Sequence, residues 1–336
     1  VETHKQSGNR TVDTRSLQVL GQDGRYVPYL DVETETVQVD ANTVKTIARS
    51  YVRDANGAKA LSQVTEEESH NLPGGGSNVV RTTSNPDVDG KLQVVQREIE
   101  ETRKAGAETE ETLKTVLLPS INGGLAPAMK VEEQRRHTGI DTVETQTTTS
   151  MPDGAGNWQT SEVRNTTERT GKNASKEDSV SQPDAEGRMT QVSRTVTKET
   201  ESASGEKSSR VESYSNSVPG AAPDGRLHLV ERATTVEHTS QSGEQTTQRQ
   251  VEQTNPGDPA AGLRITVIST STQRPGASGT QGVQTIQMRD ASGNMNTVSV
   301  DLSKSTNAGT VQIPAAGAKK AAEKPSADKK DSSEQK

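Results

Sequence analysis

The chain has 336 residues, of which 27% are hydrophobic and 1% aromatic, with no Phe, no Cys and a formal net charge of −7. So little apolar side chain cannot offset the ordering entropy of the two or three globular cores that the length alone would suggest. Mixed charges give no field for nucleic acid or an anionic membrane, the lack of Cys excludes disulfides and thiolate metal sites, and no apolar run reaches the roughly 18 residues of a membrane-spanning helix.

Residues 1–23 read as an incomplete first unit. A turn at Ser7-Gly8-Asn9 follows a short extended stretch from Val1 to Gln6, the second half of a strand arm whose start is missing. The chain opens on Val1 rather than Met, which points to a processed mature form or a trimmed chain, with secretion as the first reading. Val1, Thr3 and Lys5 are therefore candidates for a strand shared between subunits.

From Gly24 the chain repeats. Pro86-Asp87-Val88-Asp89-Gly90-Lys91-Leu92 is rewritten as Pro183-Asp184-Ala185-Glu186-Gly187-Arg188-Met189, and in shorter form as Pro223-Asp224-Gly225-Arg226-Leu227. Asp followed three residues later by Gly marks a turn that closes on a left-handed residue: the Asp accepts from the turn backbone, and Gly takes positive φ. Anchors fall at Gly24, Gly57, Gly90, Gly124, Gly156, Gly187, Gly225, Gly262 and Gly293, in steps of 33, 33, 34, 32, 31, 38, 37 and 31 residues. A large residue stands two positions after most anchors (Tyr26, Leu92, Trp158, Met189, Leu227, Met295), while at Gly124 and Gly262 the leucine follows immediately. Such a period is the mark of a repeat array.

A second punctuation lies between anchors, at Ala41-Asn42, Gly74-Gly75-Gly76, Gly106, Gly139, Gly171, Gly205, Gly243 and Gly279. Each unit is thus strand, turn, strand, turn. The expected fold is all-β: tandem repeats of about 33 residues over 24–313, each a long antiparallel hairpin, forming an elongated sheet, meander or stacked β array.

Apolar residues gather beside the anchor turns, as in Leu92 and Val94, Leu227 and Leu229, and Leu263, Ile265 and Val267, whose period of two places them on one face. The far halves of the arms are polar, as in Thr195-Val196-Thr197-Lys198-Glu199-Thr200-Glu201. The pattern predicts a narrow apolar seam along one margin, read first as the protein's own core and second as a docking surface. Arg97, Arg194 and Arg232 stand seven residues after their anchors, with Glu212, Glu231 and Glu252 as carboxylates for cross-strand pairs that help to fix register.

The last unit offers Asn296 to Ser305, a turn at Asn307-Ala308-Gly309 and a short return over 310–313. Val298, Val300, Leu302, Val311 and Ile313 are candidate interface residues at this end. Residues 314–336 form a low-complexity Ala/Lys/Glu/Pro/Ser tail.

No catalytic motif emerges, and neither metal nor cofactor is expected. The histidines His4, His70, His137, His228 and His238 lack metal-ligand spacing. Asp87-Val88-Asp89-Gly90 opens like a calcium loop without the closing glutamate, and Gly74-Gly75-Gly76 lacks the Lys-Ser/Thr pair of a phosphate loop. Trp158 reads as the large residue that follows an anchor rather than as a sugar platform. Asn9, Asn165 and Asn173 head glycosylation triplets.

The Asp-x-x-Gly-Arg/Lys-apolar anchor between Thr/Glu/Arg-rich arms resembles the tandem β-motif proteins that form extracellular filaments of environmental microbes. The resemblance covers Gly24 to about Ile313 and is architectural. It implies a non-enzymatic, secreted or cell-surface subunit that polymerises with copies of itself, without nucleic acid or membrane insertion. The reading from another class is a monomeric surface stalk or adhesin whose binding face meets glycans or a cell surface.

Overall fold

A computed structural model describes residues 2–20, 24–53, 57–276 and 279–301. They form nineteen strands: β1 (Glu2–Ser7), β2 (Arg10–Leu20), β3 (Tyr26–Gln38), β4 (Thr43–Arg53), β5 (Lys59–Leu72), β6 (Gly76–Pro86), β7 (Leu92–Lys104), β8 (Thr109–Pro119), β9 (Leu125–His137) and β10 (Thr142–Pro152), then β11 (Trp158–Arg169), β12 (Ser175–Pro183), β13 (Met189–Glu201), β14 (Lys207–Ser215), β15 (His228–Thr239), β16 (Gln245–Thr254), β17 (Leu263–Gly276), β18 (Gly279–Arg289) and β19 (Met295–Asp301). Every strand pairs antiparallel with the next in the chain, so the array is one open meander, with β1 at one margin and β19 at the other. Beyond the strands, the described residues contain a single 3-10 turn, Pro259–Ala261.

The anchor turns close as their chemistry dictates. At Gly90, φ is 77°, its N–H donates to the Asp87 carbonyl at 3.0 Å, and the Asp87 carboxylate accepts from the N–H groups of Asp89 and Lys91 at 2.9 Å each. Asp184 repeats the arrangement, and the Asp153 carboxylate accepts the corresponding pair of N–H bonds. The fourth anchor is Gly123 rather than Gly124. Gly123 N–H donates to the Ser120 carbonyl at 3.0 Å, in the role of Gly90, and Gly124 takes the role of Lys91. Both glycines have positive φ, which is why the sequence alone does not choose between them. With Gly123 the first four steps are all 33 residues, and Leu125 stands two after its anchor, as the large residue does at most others.

Outgoing strands run longer than return strands, 13 against 11 residues in β3 and β4, β7 and β8, and β9 and β10. A β-bulge accounts for one of the extra residues. It falls five positions after the anchor at Tyr29, Ser62, Val95, Ala128, Ser161, Val192 and Val230, and four after Gly262 at Thr266. The ladder of β18 with β19 has none. Because a bulge shifts the alternation, Ile265 and Val267 lie on opposite faces, against the expectation of one shared face.

Neighbouring hairpins are offset by a constant two residues. Leu30, beside the first bulge, pairs with Leu17 and faces Val52, although the equivalent of Leu17 in the next hairpin is Ser50. Glu231 pairs with Ser213 and faces Gln253, where the equivalent of Ser213 is Val251. The offset is the same at every junction between, although the repeat length varies.

A single layer has no two-sided core, and among the described residues no large side chain is fully buried. The buried hydrophobics are Val64, Val116, Ala233 and Val251. The last two belong to a cross-strand row on one face, Val211–Ala233–Val251–Val267–Met288, close to the bulges. Ionic rows complement it. Arg81 bridges Glu67 and Glu98, and Lys114 reaches Glu98 at 3.0 Å. Arg232 donates to Glu212 at 3.1 Å and to Glu252 at 3.4 Å, while Glu231, on the other face, accepts instead from Gln253. Arg194 binds Glu177 through two nitrogens and lies over the Tyr214 ring. Arg97 takes Thr82 rather than a carboxylate.

Candidate assembly surfaces

Three surfaces stand out by construction: the anchor tips, two long loops among them, and the two marginal strands.

The tips project beyond the sheet. Ladders between hairpins stop at the bulges: β3 joins β4 only from Leu30, β5 joins β6 only from Val64, and β7 joins β8 only from Arg97. A bulge bends and twists its strand, so the last few residues of each hairpin diverge from the neighbouring hairpin as a two-stranded finger. Pro86 faces Leu92, Pro119 faces Leu125, Pro152 faces Trp158 and Pro183 faces Met189, all on the same side of the fingers. Each of these prolines lies two residues past the last rung between hairpins, so its missing N–H leaves no ladder bond unmade. The predicted seam is therefore divided in space: on the fingers Leu92 is 47% and Trp158 40% accessible, whereas Val94, Leu229, Ile265 and Val267, beside the bulges, are half-buried.

The 38- and 37-residue units place their extra residues in two adjacent tips, which pack on each other. Gly220, at φ 83°, lies so close to the Pro256 carbonyl that an added Cβ would sit 2.0 Å from its oxygen. Between these loops is a groove of about 450 Å³ lined by Val218, Ala221, Asp224, His228, Leu229 and Pro259 among others. His228 contacts both Asp224 oxygens at 2.9 Å, and this bond, with the Arg226 N–H, holds the Asp224 carboxyl below its ordinary range.

The marginal strands present main-chain groups. The Ser7–Arg10 pair flanks the two-residue turn Gly8-Asn9, so those two residues exchange the ladder bonds. Alternation then turns Thr3 and Lys5 inward to β2 and leaves the N–H and C=O of Glu2, His4 and Gln6 directed outward. At the other margin the Asp290 N–H donates to the Asn294 carbonyl at 2.8 Å. Counting from that pair, Asn296, Val298 and Val300 bond inward to β18, and Met295, Thr297 and Ser299 face outward. The predicted interface residues Thr3, Lys5, Val298 and Val300 are thus in the marginal strands, but their sequence neighbours carry the outward bonding groups. Val1, Leu302, Val311 and Ile313 lie outside the described residues.

Asn9 and Asn173 are exposed in turns and Asn165 is exposed on β11, where it accepts from Gln146 at 3.1 Å. Asn9 Nδ2 donates to the Gln38 carbonyl at 2.8 Å. His4 bonds Asp13 at 2.6 Å and His70 bonds Thr43 at 2.9 Å. No group of three His, Cys, Asp or Glu among the described residues could hold a metal ion.

Turn hydrogen bonds lower several carboxyl pKa values. Gln93 and the Lys91 N–H act on Asp87, the Asn157 side chain and the Ala155 N–H on Asp153, the Arg188 N–H on Asp184, and the Asn294 N–H on Asp290. These bonds hold the turns.

The bulges and the constant offset went unread in the sequence, since they follow from strand lengths that differ by two residues. No protein-family model, curated protein or solved structure matches the chain.

Proposed function

We propose that the chain is a non-enzymatic structural subunit of an extracellular protein filament, whose copies join head to tail through their marginal strands. The observation that carries this reading is the single-layer sheet whose two margins, among the described residues, have no ladder on their outer side. An open margin is a template for another strand, and proteins that avoid pairing usually cover it, kink it or break it with proline. Neither β1 nor β19 contains a proline or a bulge. Lys5 is the one lysine on either strand. Main-chain bonds would supply affinity and side-chain register specificity, as in strand addition generally.

Negative-stain microscopy of the purified chain tests it. Fibres are expected, and Gln6→Pro, which removes an outward N–H while sparing the inward ladder, is expected to shorten them at unchanged circular dichroism. Discrete single particles at every concentration would favour a monomeric stalk or adhesin instead. The groove between the two long tips is the feature that would serve that second reading.

A further inference from the structure

We infer that the head-to-tail joint is a parallel β-ladder, β19 of one copy beside β1 of the next, in an assembly otherwise antiparallel throughout. The inference rests on the filament reading and specifies its joint.

It follows from strand parity. Direction reverses at every turn of the meander, so the odd-numbered strands all run from the anchor tips toward the opposite turns. β1 ends at Ser7, before the turn at Gly8, and β19 begins just after Gly293, and both run this way. A second copy placed with the same face forward and its tips on the same side therefore brings β1 against β19 pointing in one direction.

Side-chain alternation agrees. Thr297 and Ser299, whose main-chain groups face outward, share a face with Thr3 and Lys5 through the successive ladders, whereas the outward residues Glu2, His4 and Gln6 lie on the other face. Two strands that run the same way and offer opposite edges must be related so. In a parallel ladder each outward residue of one strand sits opposite an inward residue of the other, on one face. Thr297 and Ser299 meet that condition with Thr3 and Lys5, and their N–H and C=O groups then reach the flanking Glu2, His4 and Gln6.

The other arrangements fit less well. Pairing like margins antiparallel makes a two-fold contact, which closes on itself, so a fibre would need two different joints. The margins are also unlike: β1 is Glu-Thr-His-Lys-Gln-Ser, and β19 alternates Val298 and Val300 with polar residues. Turning alternate copies over would pair β19 with β1 antiparallel, but it reverses face and tip direction at each joint. A common face and tips on one side continue only across the parallel joint.

The chain contains no Cys, so introduced thiols report cleanly. Thr3→Cys or Lys5→Cys protein is mixed with Met295→Cys, Thr297→Cys, Ser299→Cys or Asp301→Cys protein, allowed to assemble, and oxidised. Disulfides form only where Cβ atoms approach to about 4 Å. In a parallel joint the β19 partner of Lys5→Cys lies two residues later in sequence than the partner of Thr3→Cys. A partner two residues earlier overturns the inference, as do disulfide dimers from Thr297→Cys or Thr3→Cys protein alone. Either result with fibres still present leaves the filament reading standing. Absence of fibres and of every cross-link overturns both.

Discussion

The two ends of each hairpin are made by the same strands yet end in opposite ways. At the turns away from the anchors, neighbouring hairpins are stitched together: Gln38 N–H donates to the Asn9 carbonyl, Asn71 to Asn42, His137 to Glu108 and Thr170 to Asp141, all at 2.8–2.9 Å. At the anchors, the ladder between hairpins stops at a bulge, and contact beyond it passes through side chains and loops, as where the two long tips pack at Gly220 and Pro256. The apolar residues are concentrated at the separated end and the charged residues at the stitched end. Cohesion between hairpins therefore does not follow hydrophobicity here; it follows the main-chain ladder, and the bulge decides where the ladder stops.

The comparison breaks most sharply just inside the bulges. Val251→Asp would place a carboxylate in the buried row between Ala233 and Val267, at a cost on the order of 3 kcal/mol or more. Leu92→Asp, on an exposed finger, is expected to cost less than about 1 kcal/mol despite removing a larger side chain. Urea midpoints followed by circular dichroism measure both. Equal losses would show that the fingers bury their leucines after all.

A second contrast lies within the tips. Gly90→Val meets open space and pays only for a left-handed valine, roughly 1–2 kcal/mol. Gly220→Val adds a clash with Pro256, so it should lose more than that and should raise amide exchange in both long tips together. Exchange confined to residues near 220 would mean that the two loops are not coupled.

The smallest effect separates aspartate turns from hydroxyl turns by pH. Asp87, Asp153, Asp184 and Asp290 have folded pKa values below their ordinary one, so they bind fewer protons folded than unfolded near pH 4. Their contribution is fully present above the unfolded value, about 3.9, and is lost as pH falls through the lower folded values. Two turns at the stitched end use a hydroxyl in the same role: Ser202 Oγ accepts from the Glu206 N–H and Ser240 Oγ from the Glu244 N–H, each at 3.1 Å. Between pH 5 and 2, amide exchange corrected for its intrinsic pH dependence should lose protection at Lys91, Asn157 and Arg188 while Glu206 and Glu244 keep theirs. Parallel losses at both kinds of turn would show that acid acts on the whole sheet.

Much of the fold is legible in the sequence. The Asp-x-x-Gly turns, the hairpin period and the all-β class follow from local chemistry, because turn residues and alternation act within a few positions of the chain. The Gly123 anchor is hidden by a second glycine beside it. The fate of the apolar strip is hidden for a different reason: Leu92 reads as core only if something packs over it, and whether a layer exists above a sheet is not a local property. The marginal bonding groups are also displaced by one, since Thr3 and Val298 stand out by side chain, whereas edge pairing depends on which way the peptide points.

The constant two-residue offset carries a mechanical consequence. Two residues advance about 6.8 Å along a strand while two strands span about 9.6 Å across the sheet, so the line joining equivalent turns is inclined by about 35° from the perpendicular to the strands. Load applied along that line is divided in a fixed proportion between stretching the rungs and sliding one hairpin past the next. Sliding by one residue would turn every side chain to the wrong face, so the ionic rows of Glu67, Arg81 and Glu98 and of Glu212, Arg232 and Glu252 act as detents against creep.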